Sequence, residues 1–408
     1  MFFLRIVLMA LRSLWIHPLR SILATLGVII GVGAVVAAMA ILNGMSARLE
    51  EGFSSMGSAM VFVSPNIERR GGRSVGNFDS LKLEDADAID KECSTVTRVM
   101  PQIRNTAGVK FMSKSTQASI LGCSENYPIM NNHVVAEGEF FSRTDIMGSF
   151  KVAVLGSKVK RDLFGGRPAL GEKIKISGAL GARTYTVIGV MEEKGNIAFT
   201  DVDQQVIVPI TTAADNYGLD SIQMVICEAR SPADADIDRA KDEIKKVLRQ
   251  RHRIRAGQQD DFQVQAQKEM VEQFGSFQAI IAVVLWSIAG ISLVVGGIGI
   301  MNIMLVAVTE RTREIGVRMA MGAQRGDVMR QFLVEASIVS LLGGALGVLM
   351  GWGLATMIQN ATRVMETITT GWAIAMALAM ATGVGIISGI YPAWKASRLD
   401  PVEALRYE

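Results

Sequence analysis

Residues 309–332 read TERTREIGVRMAMGAQRGDVMRQF, with five arginines (Arg311, Arg313, Arg318, Arg325, Arg330) interleaved with Glu310, Glu314 and Asp327. No charge occurs from Gln273 to Thr309 on one side, or from Ala336 to Thr362 on the other. The chemistry open to such a segment is recognition by ion pairs. Its mixed signs argue against a plain lipid-binding polybasic patch. Glu314 and Arg318 stand at i, i+4 with the acid first, the stabilising order on a helix. Ile315 and Met319 have the same spacing and give an apolar stripe beside the charges. Gly322 and Gly326 bracket a break. The expectation is a short amphipathic helix of a size and character that suits docking into a groove on another protein. The plainer reading of the same arginines is a topology signal at a membrane.

Other chemistries find little support. Cys93, Cys123 and Cys227 include no CxxC pair, so no zinc ribbon or thioredoxin-like site is indicated, although an oxidising compartment would permit one disulfide. His17, His133 and His252 are scattered and lack metal-ligand spacing. The acids Glu84, Asp85, Asp87 and Asp90 lack the glycine and final glutamate of a calcium loop and read as the favourably charged start of a helix. Neither GxSxG nor HExxH occurs. A net charge of +3 is too small to suggest nucleic acid.

The elements around the charged segment are membrane spans. Half the residues are hydrophobic and the mean hydropathy is +0.30. The run 21–42 is 22 residues long, about 33 Å as a helix, enough for a hydrocarbon core of about 30 Å. It exceeds a signal-peptide core, so a retained anchor is expected. A second span falls within 276–308, read as one long helix extending beyond the bilayer, a third at 337–358 and a fourth at 372–392. The first 18 residues, with Arg5, Arg12 and Trp15 before Pro18, suit a helix lying in the membrane interface. Eleven Lys/Arg residues lie in 1–20, 309–336 and the tail from 393, against Arg363 alone in the loop 359–371. The expectation is that both termini and the arginine segment are cytoplasmic.

Those span ranges contain no charged residue, which weakens an ion-coupled transport pathway. They carry small residues at four-residue spacing instead: Gly27 with Gly31, Gly343 with Gly347 and Gly351, and Gly385 with Gly389. Gly296 and Gly297 join this set. Such residues let helix backbones approach closely, within the chain or between two copies.

The long segment 43–275 is expected outside the cytoplasm as a mixed α+β domain. Strand candidates are 60–64, 108–112, 151–156, 172–177, 184–191, 205–210 and 222–229, rich in β-branched residues. GALGA at 178–182 reads as a hairpin turn, 72–80 as a loop, and 83–92 and 235–252 as helices.

One stretch resembles a known family. VVGGIGIMNIMLVAVTERTREIGVRMAMGA (294–323) is similar to the signature of macrolide-exporter and FtsX-type permeases of ATP-binding-cassette (ABC) systems. The likeness extends through 23–41, 152–166, 185–195 and the closing YPAWKASRLDPVEALRYE (391–408). It implies a four-span permease in the inner membrane, paired with a second copy or a paralogous permease and bound to a cytoplasmic ABC ATPase. Glu310, Arg311, Thr312, Arg313, Glu314, Ile315, Arg318 and Met319 would form the coupling element. The resemblance further implies mechanotransmission, with the outer domain split into a porter-like part and an inserted part near 105–220. A periplasmic adaptor and an outer-membrane channel often accompany such permeases, besides the surrounding membrane lipid. Lipoprotein release, or an FtsX-like relay switching on an extracytoplasmic enzyme, are the alternative uses of this architecture. The chain departs from fused exporters in having no GxxxxGK[ST]; GRPALGEK (166–173) has its lysine at the wrong offset. ATP and magnesium are therefore expected on a separate chain, with no cofactor or catalytic residue on this one.

Overall fold

The computed structural model describes the chain except residues 1–17, 58, 67, 71–72, 76–78, 198–199, 363–366 and 407–408. The proposed interfacial helix of 1–18 thus lies outside the described residues apart from its last position. Two compact units emerge: residues 1–47 with 275–408, and residues 48–274.

The first unit is helical. Among the described residues four helices are long and apolar enough to cross a membrane: Pro18–Met56, Gln267–Glu310, Arg325–Thr362 and Gly371–Ser397. We call them the first to fourth spans. Each outruns the apolar stretch read from the sequence, because helix formation continues into charged flanks until a breaker or cap stops it. Trp372 near one end of the fourth span and Tyr391 and Trp394 near the other are all exposed, as expected of rings at the two membrane interfaces.

Small residues make the closest crossings. A Cβ added to Gly27 would lie 2.7 Å from the Cα of Gly296, so the first and second spans touch backbone to backbone. A Cβ on Gly31 would lie 3.0 Å from Leu293. Against the third span, a Cβ on Gly347 would meet the Ile29 carbonyl at 2.8 Å, and one on Gly351 the Gly33 carbonyl at 2.5 Å. Gly297 closes on Ser388, while Gly385 and Gly389 close on Ser340 and Ala336. Gly343 differs: a Cβ there would have only ordinary contact with Val28, at 3.5 Å. All of these contacts lie within one chain.

The second unit is built on one sheet. Its strands are β1 (Met60–Pro65), β2 (Glu68–Arg70), β3 (Arg73–Val75), β4 (Val96–Phe111), β5 (Lys114–Cys123), β6 (Val135–Gly138), β7 (Val152–Leu155), β8 (Lys173–Gly178), β9 (Gly181–Met191), β10 (Asn196–Ile197), β11 (Thr200–Asp201), β12 (Gln205–Pro209), β13 (Met224–Ala229) and β14 (Phe262–Ala266). Ten of them join in the order β14-β1-β13-β4-β5-β12-β7-β9-β6, with β8 paired to β4 and β9. The hairpin β8–β9 turns at Ala179 and Leu180, and Gly181, paired with Gly178 at the start of β9, takes φ of +112°, where glycine avoids steric cost. The segment expected as a loop at 72–80 includes β3, paired with β2. β2, β5, β6, β10, β11, β14 and most of β4, up to Ala107, lie outside the sequence expectations. Their polar or interrupted sequences hide the alternation; β6, β14 and the start of β4 are fixed by partners far along the chain, and β5 by its hairpin with β4 and by β12.

β4 explains how the domain holds together. Its first residues pair with β13, its middle and end with β5, and Val109 and Lys110 with β8. One core uses both ends of the domain, including Val61, Leu81, Ile89, Val225, Ile244 and Phe262. Another is built between Ala107 and Ala213, around Tyr185, Val187 and Leu163. The boundary expected near 105 therefore falls inside a single long strand that serves both cores. The helices Leu83–Glu92 and Asp234–Arg251 bury one face each, through Ile89 and through Ile237, Ile244 and Leu248.

Candidate functional site

The segment between the second and third spans, where the resemblance puts the coupling element, forms the helix Thr312–Ala320, labelled the coupling helix. Its start is set locally. The Thr312 hydroxyl donates to the Val308 and Thr309 carbonyls at 3.0 and 2.8 Å, so the buried threonine turns the chain where the second span ends. Its end is a Schellman closure: Ala323 N–H donates to the Arg318 carbonyl at 3.0 Å and Gly322 takes φ of +100°. Gly326 is already inside the third span, so the break lies at 321–324 and Gly322 alone makes it. The expectation that both glycines bracket the break is corrected accordingly.

Two faces follow. Ile315 is 3% exposed and packs into the core of the helical unit with Phe332, Ala336 and Ala396; Met319 and Leu399 pack beside it. The apolar stripe singled out in the sequence therefore faces inward and is not available to a partner. The outward face carries Glu310, Arg313 and Glu314, with Val317 at 40% and Met321 at 77% exposure. The sequence holds two i, i+4 apolar pairs, Ile315/Met319 and Val317/Met321. Two residues of offset turn about 200° on a helix, so the pairs occupy opposite faces. Nothing local to the segment distinguishes them; the third and fourth spans decide by covering one.

An ion pair and a hydrogen bond fix the helix to the third span. Arg311 Nη1 donates to Glu335 at 3.2 Å, and Glu335 is 3% exposed. A buried carboxylate without such a partner would carry a large desolvation cost. Arg318 donates to Glu314 one turn back and to Gln331 of the third span at 3.1 Å. Glu335 and Gln331 were not singled out in the sequence, because Glu335 stands one residue before the charge-free run and looks like its polar flank.

Elsewhere the arrangement favours structure over chemistry. A cavity of about 270 Å³ lies between the first and second spans, lined by Met39, Leu42, Leu285 and Trp286 with Asn43 and Gln278. Gln278 accepts from Ser46 at 2.8 Å and donates to the Leu42 carbonyl at 3.1 Å. In the 48–274 unit, Asp85 is 4% exposed and accepts from Arg251 at 2.8 Å and from the Lys82 N–H at 2.9 Å; His252 lies between Asp85 and Asp261. Burial pushes the Asp85 carboxyl up, but the Arg251, Lys82 and His252 contacts together hold it below the usual value. Cys93, Cys123 and Cys227 are free and buried, and burial pushes the Cys93 thiol up to about 11. They behave as inert core thiols. Among the described residues no cluster of His, Cys, Asp or Glu could hold a metal ion.

Known proteins share this plan. A family profile described as MacB-like periplasmic core domain matches residues 21–247, and one described as FtsX-like permease C-terminal matches 286–401. The chain belongs to the MacB/FtsX family of ABC transporter permeases. It is 36% identical over 401 residues to the macrolide export ATP-binding/permease protein MacB of Bdellovibrio bacteriovorus, covering 97% of this chain and 61% of that one. It is 32% identical to the uncharacterized ABC transporter permease YknZ of Bacillus subtilis, covering 98% of each. The chain thus spans about three-fifths of the MacB relatives and nearly all of the YknZ permease. The crystal structure of the periplasmic region of MacB from Actinobacillus actinomycetemcomitans overlaps 56% of this chain and 98% of its own, at TM-score 0.45 and 18% identity. In this chain four helices long and apolar enough to cross a membrane accompany a large α+β domain, residues 48–274, most of it within the stretch matched by the MacB-like periplasmic core profile.

Proposed function

We infer that this MacB/FtsX-type permease is the non-catalytic membrane subunit of an ATP-driven export system. A separate cytoplasmic ABC ATPase docks on the outward face of the coupling helix and binds the ATP and magnesium. The single observation that carries this reading is the coupling helix itself. It is short, held on its inner side by Arg311–Glu335 and Ile315, and presents Glu310, Arg313, Glu314 and Val317 outward. A helix needed only for topology has no reason to be pinned to the third span. The names of the MacB relatives include ATP binding, and the proposed separate ATPase would supply that part.

The mechanism follows from how the spans pack. Two permeases face each other, each with an ATPase, in the inner membrane with both termini cytoplasmic. Apolar side chains of the second span at Val284, Ile288, Ile291, Val295 and Ile298 are exposed at alternating spacings of four and three residues, a seam suited to a second helix or to lipid. ATP binding draws the ATPases together and moves the coupling helices. Crossings so close that a Cβ on Gly27, Gly347 or Gly351 would lie within 3.0 Å of the neighbouring span make the first, second and third spans move as one body. The first and second helices run on into residues of the periplasmic unit, to Met56 and from Gln267, which lets displacement at the cytoplasmic face reach the domain. Cargo is thereby driven from the periplasmic side, through an adaptor and outer-membrane channel where those are present.

A photo-crosslinking residue at Val317, introduced into the full chain in its native membranes, tests the reading. An ABC ATPase in the crosslinked band, and in stoichiometric amount after gentle purification, is the expected result. A band containing only lipid or this chain itself would refute it.

A further inference from the structure

The inner face of the coupling helix is not covered by the spans alone. After the fourth span ends at Ser397, the chain makes a short helix, Pro401–Arg406. Its start is dictated locally: the Asp400 carboxylate accepts from the Val402 N–H at 2.9 Å as an N-cap, and Pro401 takes the first helical position. This helix lies on the coupling helix at Gly316. A Cβ added there would stand 2.6 Å from the Ala404 Cβ and 3.6 Å from the Pro401 carbonyl oxygen. Ala404 is 2% exposed, and Gly316 is buried. The obstacle is an atom fixed to backbone, so a side chain at 316 displaces a whole helix.

We propose that the helix Pro401–Arg406 is a brace in the coupling device, and that Gly316 and Ala404 are positioning residues for energy transfer. The inference rests on the docking reading above and deepens it. Arg311 and Arg318 tie the coupling helix to the third span, through Glu335 and Gln331. Gly316 sits between those ties and rests on a helix three residues beyond the fourth span. Without the brace, force on the outward face reaches the third span and dissipates in rotation of the helix about its two ties. With the brace, the same force is divided between the third and fourth spans, which already touch through Gly385 and Gly389. Docking uses the outer face, so the brace acts on what the docked ATPase accomplishes rather than on whether it binds.

The test uses the complete permease with the ATPase that co-purifies with it, in lipid nanodiscs. Gly316→Ala is expected to lower permease-dependent ATP turnover by roughly 2- to 30-fold, the range for mutations along a coupling element, with ATPase binding and the KM for ATP unchanged. Adding Ala404→Gly returns the lost volume to the contact and restores turnover. Deleting residues 400–408 reproduces the loss. Wild-type turnover in both Gly316→Ala and the deletion would overturn the brace and leave docking standing. Failure of the swap to restore turnover would mark the loss as damage to folding and overturn it equally. A wild-type chain that retains no ATPase at all removes the docking reading, and the brace with it.

Discussion

In the membrane unit the tightest contacts are made where side chains are missing: Gly27 against Gly296, Gly351 against Gly33. The periplasmic unit also has close approaches at glycines, such as Gly122 against Ala213, but its core is filled by large side chains that are fully covered, such as Leu121, Tyr185 and Ile103. The solvents explain the contrast. In water, burying an apolar side chain contributes about 1.5–3 kcal/mol, so the domain gains by interleaving large groups between sheet and helices. In lipid the surroundings are as apolar as the core, and stability comes from close approach and backbone contact. Removing volume should therefore harm the periplasmic core most, and adding volume the crossings of the spans.

The largest effect is expected from Leu121→Ala. Leu121 is 1% exposed in the cluster with Met100, Tyr127 and Ile207, and its loss should cost about 4 kcal/mol. Hydrogen exchange on the full chain in detergent reads this as faster exchange in 48–274, with the spans unchanged. Equal loosening of both units would mean that they unfold together and that the contrast is false.

Gly27→Leu is the converse test, expected to cost about 3 kcal/mol through overpacking against Gly296. Gly353, also in a span, has nothing within 4 Å of an added Cβ, so Gly353→Leu should leave the melting temperature unchanged. Indifference to Gly27→Leu would show that the spans separate easily and transmit little.

Asp85→Asn sharpens the comparison within the periplasmic unit, where a charge is buried because partners surround it. Asp85 has its carboxyl held low, so its contribution is present above the ordinary aspartate value of about 3.9 and is lost as pH falls through the folded value. The variant should be destabilised by about 2 kcal/mol at neutral pH, with the difference from wild type closing below pH ~4. A difference that persists unchanged at low pH would assign the effect to packing.

Much of this was legible in the sequence, and the limits have physical causes. The helix Leu83–Glu92 matches its expected range because acids at its start and apolar spacing agree. The four spans are plain because long charge-free runs have few other fates. β14 and most of β4 are not, since FQVQA and VTRVMPQ lack clear alternation and are strands only because β1 and β13 pair with them. The candidate site divides likewise. The Glu314–Arg318 spacing is local and readable. Which of two apolar pairs faces inward depends on the third span, the fourth span and the helix Pro401–Arg406. The Arg311–Glu335 tie joins positions on separate helices, and no local pattern announces it.

The smallest effect on stability is expected where the effect on coupling is distinctive. Glu314 is exposed, and its pair with Arg318 is a surface contact one turn apart. Such pairs contribute about 0.3–0.5 kcal/mol, so Glu314→Lys should leave folding and membrane insertion intact. The lysine nevertheless places a third positive charge beside Arg313 and Arg318 on the outward face. It also frees Arg318, whose remaining partner on the third span is Gln331. Charges at the rim of an interface govern the rate of encounter and its salt dependence more than the final packing. The expected outcome is slower ATPase association in a surface-binding measurement, largest at low salt and fading as salt screens the face. A change in dissociation alone, independent of salt, would place Glu314 in the packed centre of the contact and move the rim toward Met321. A melting temperature that falls as far as that of Gly27→Leu would erase the distinction between a face that docks and a crossing that holds the bundle together.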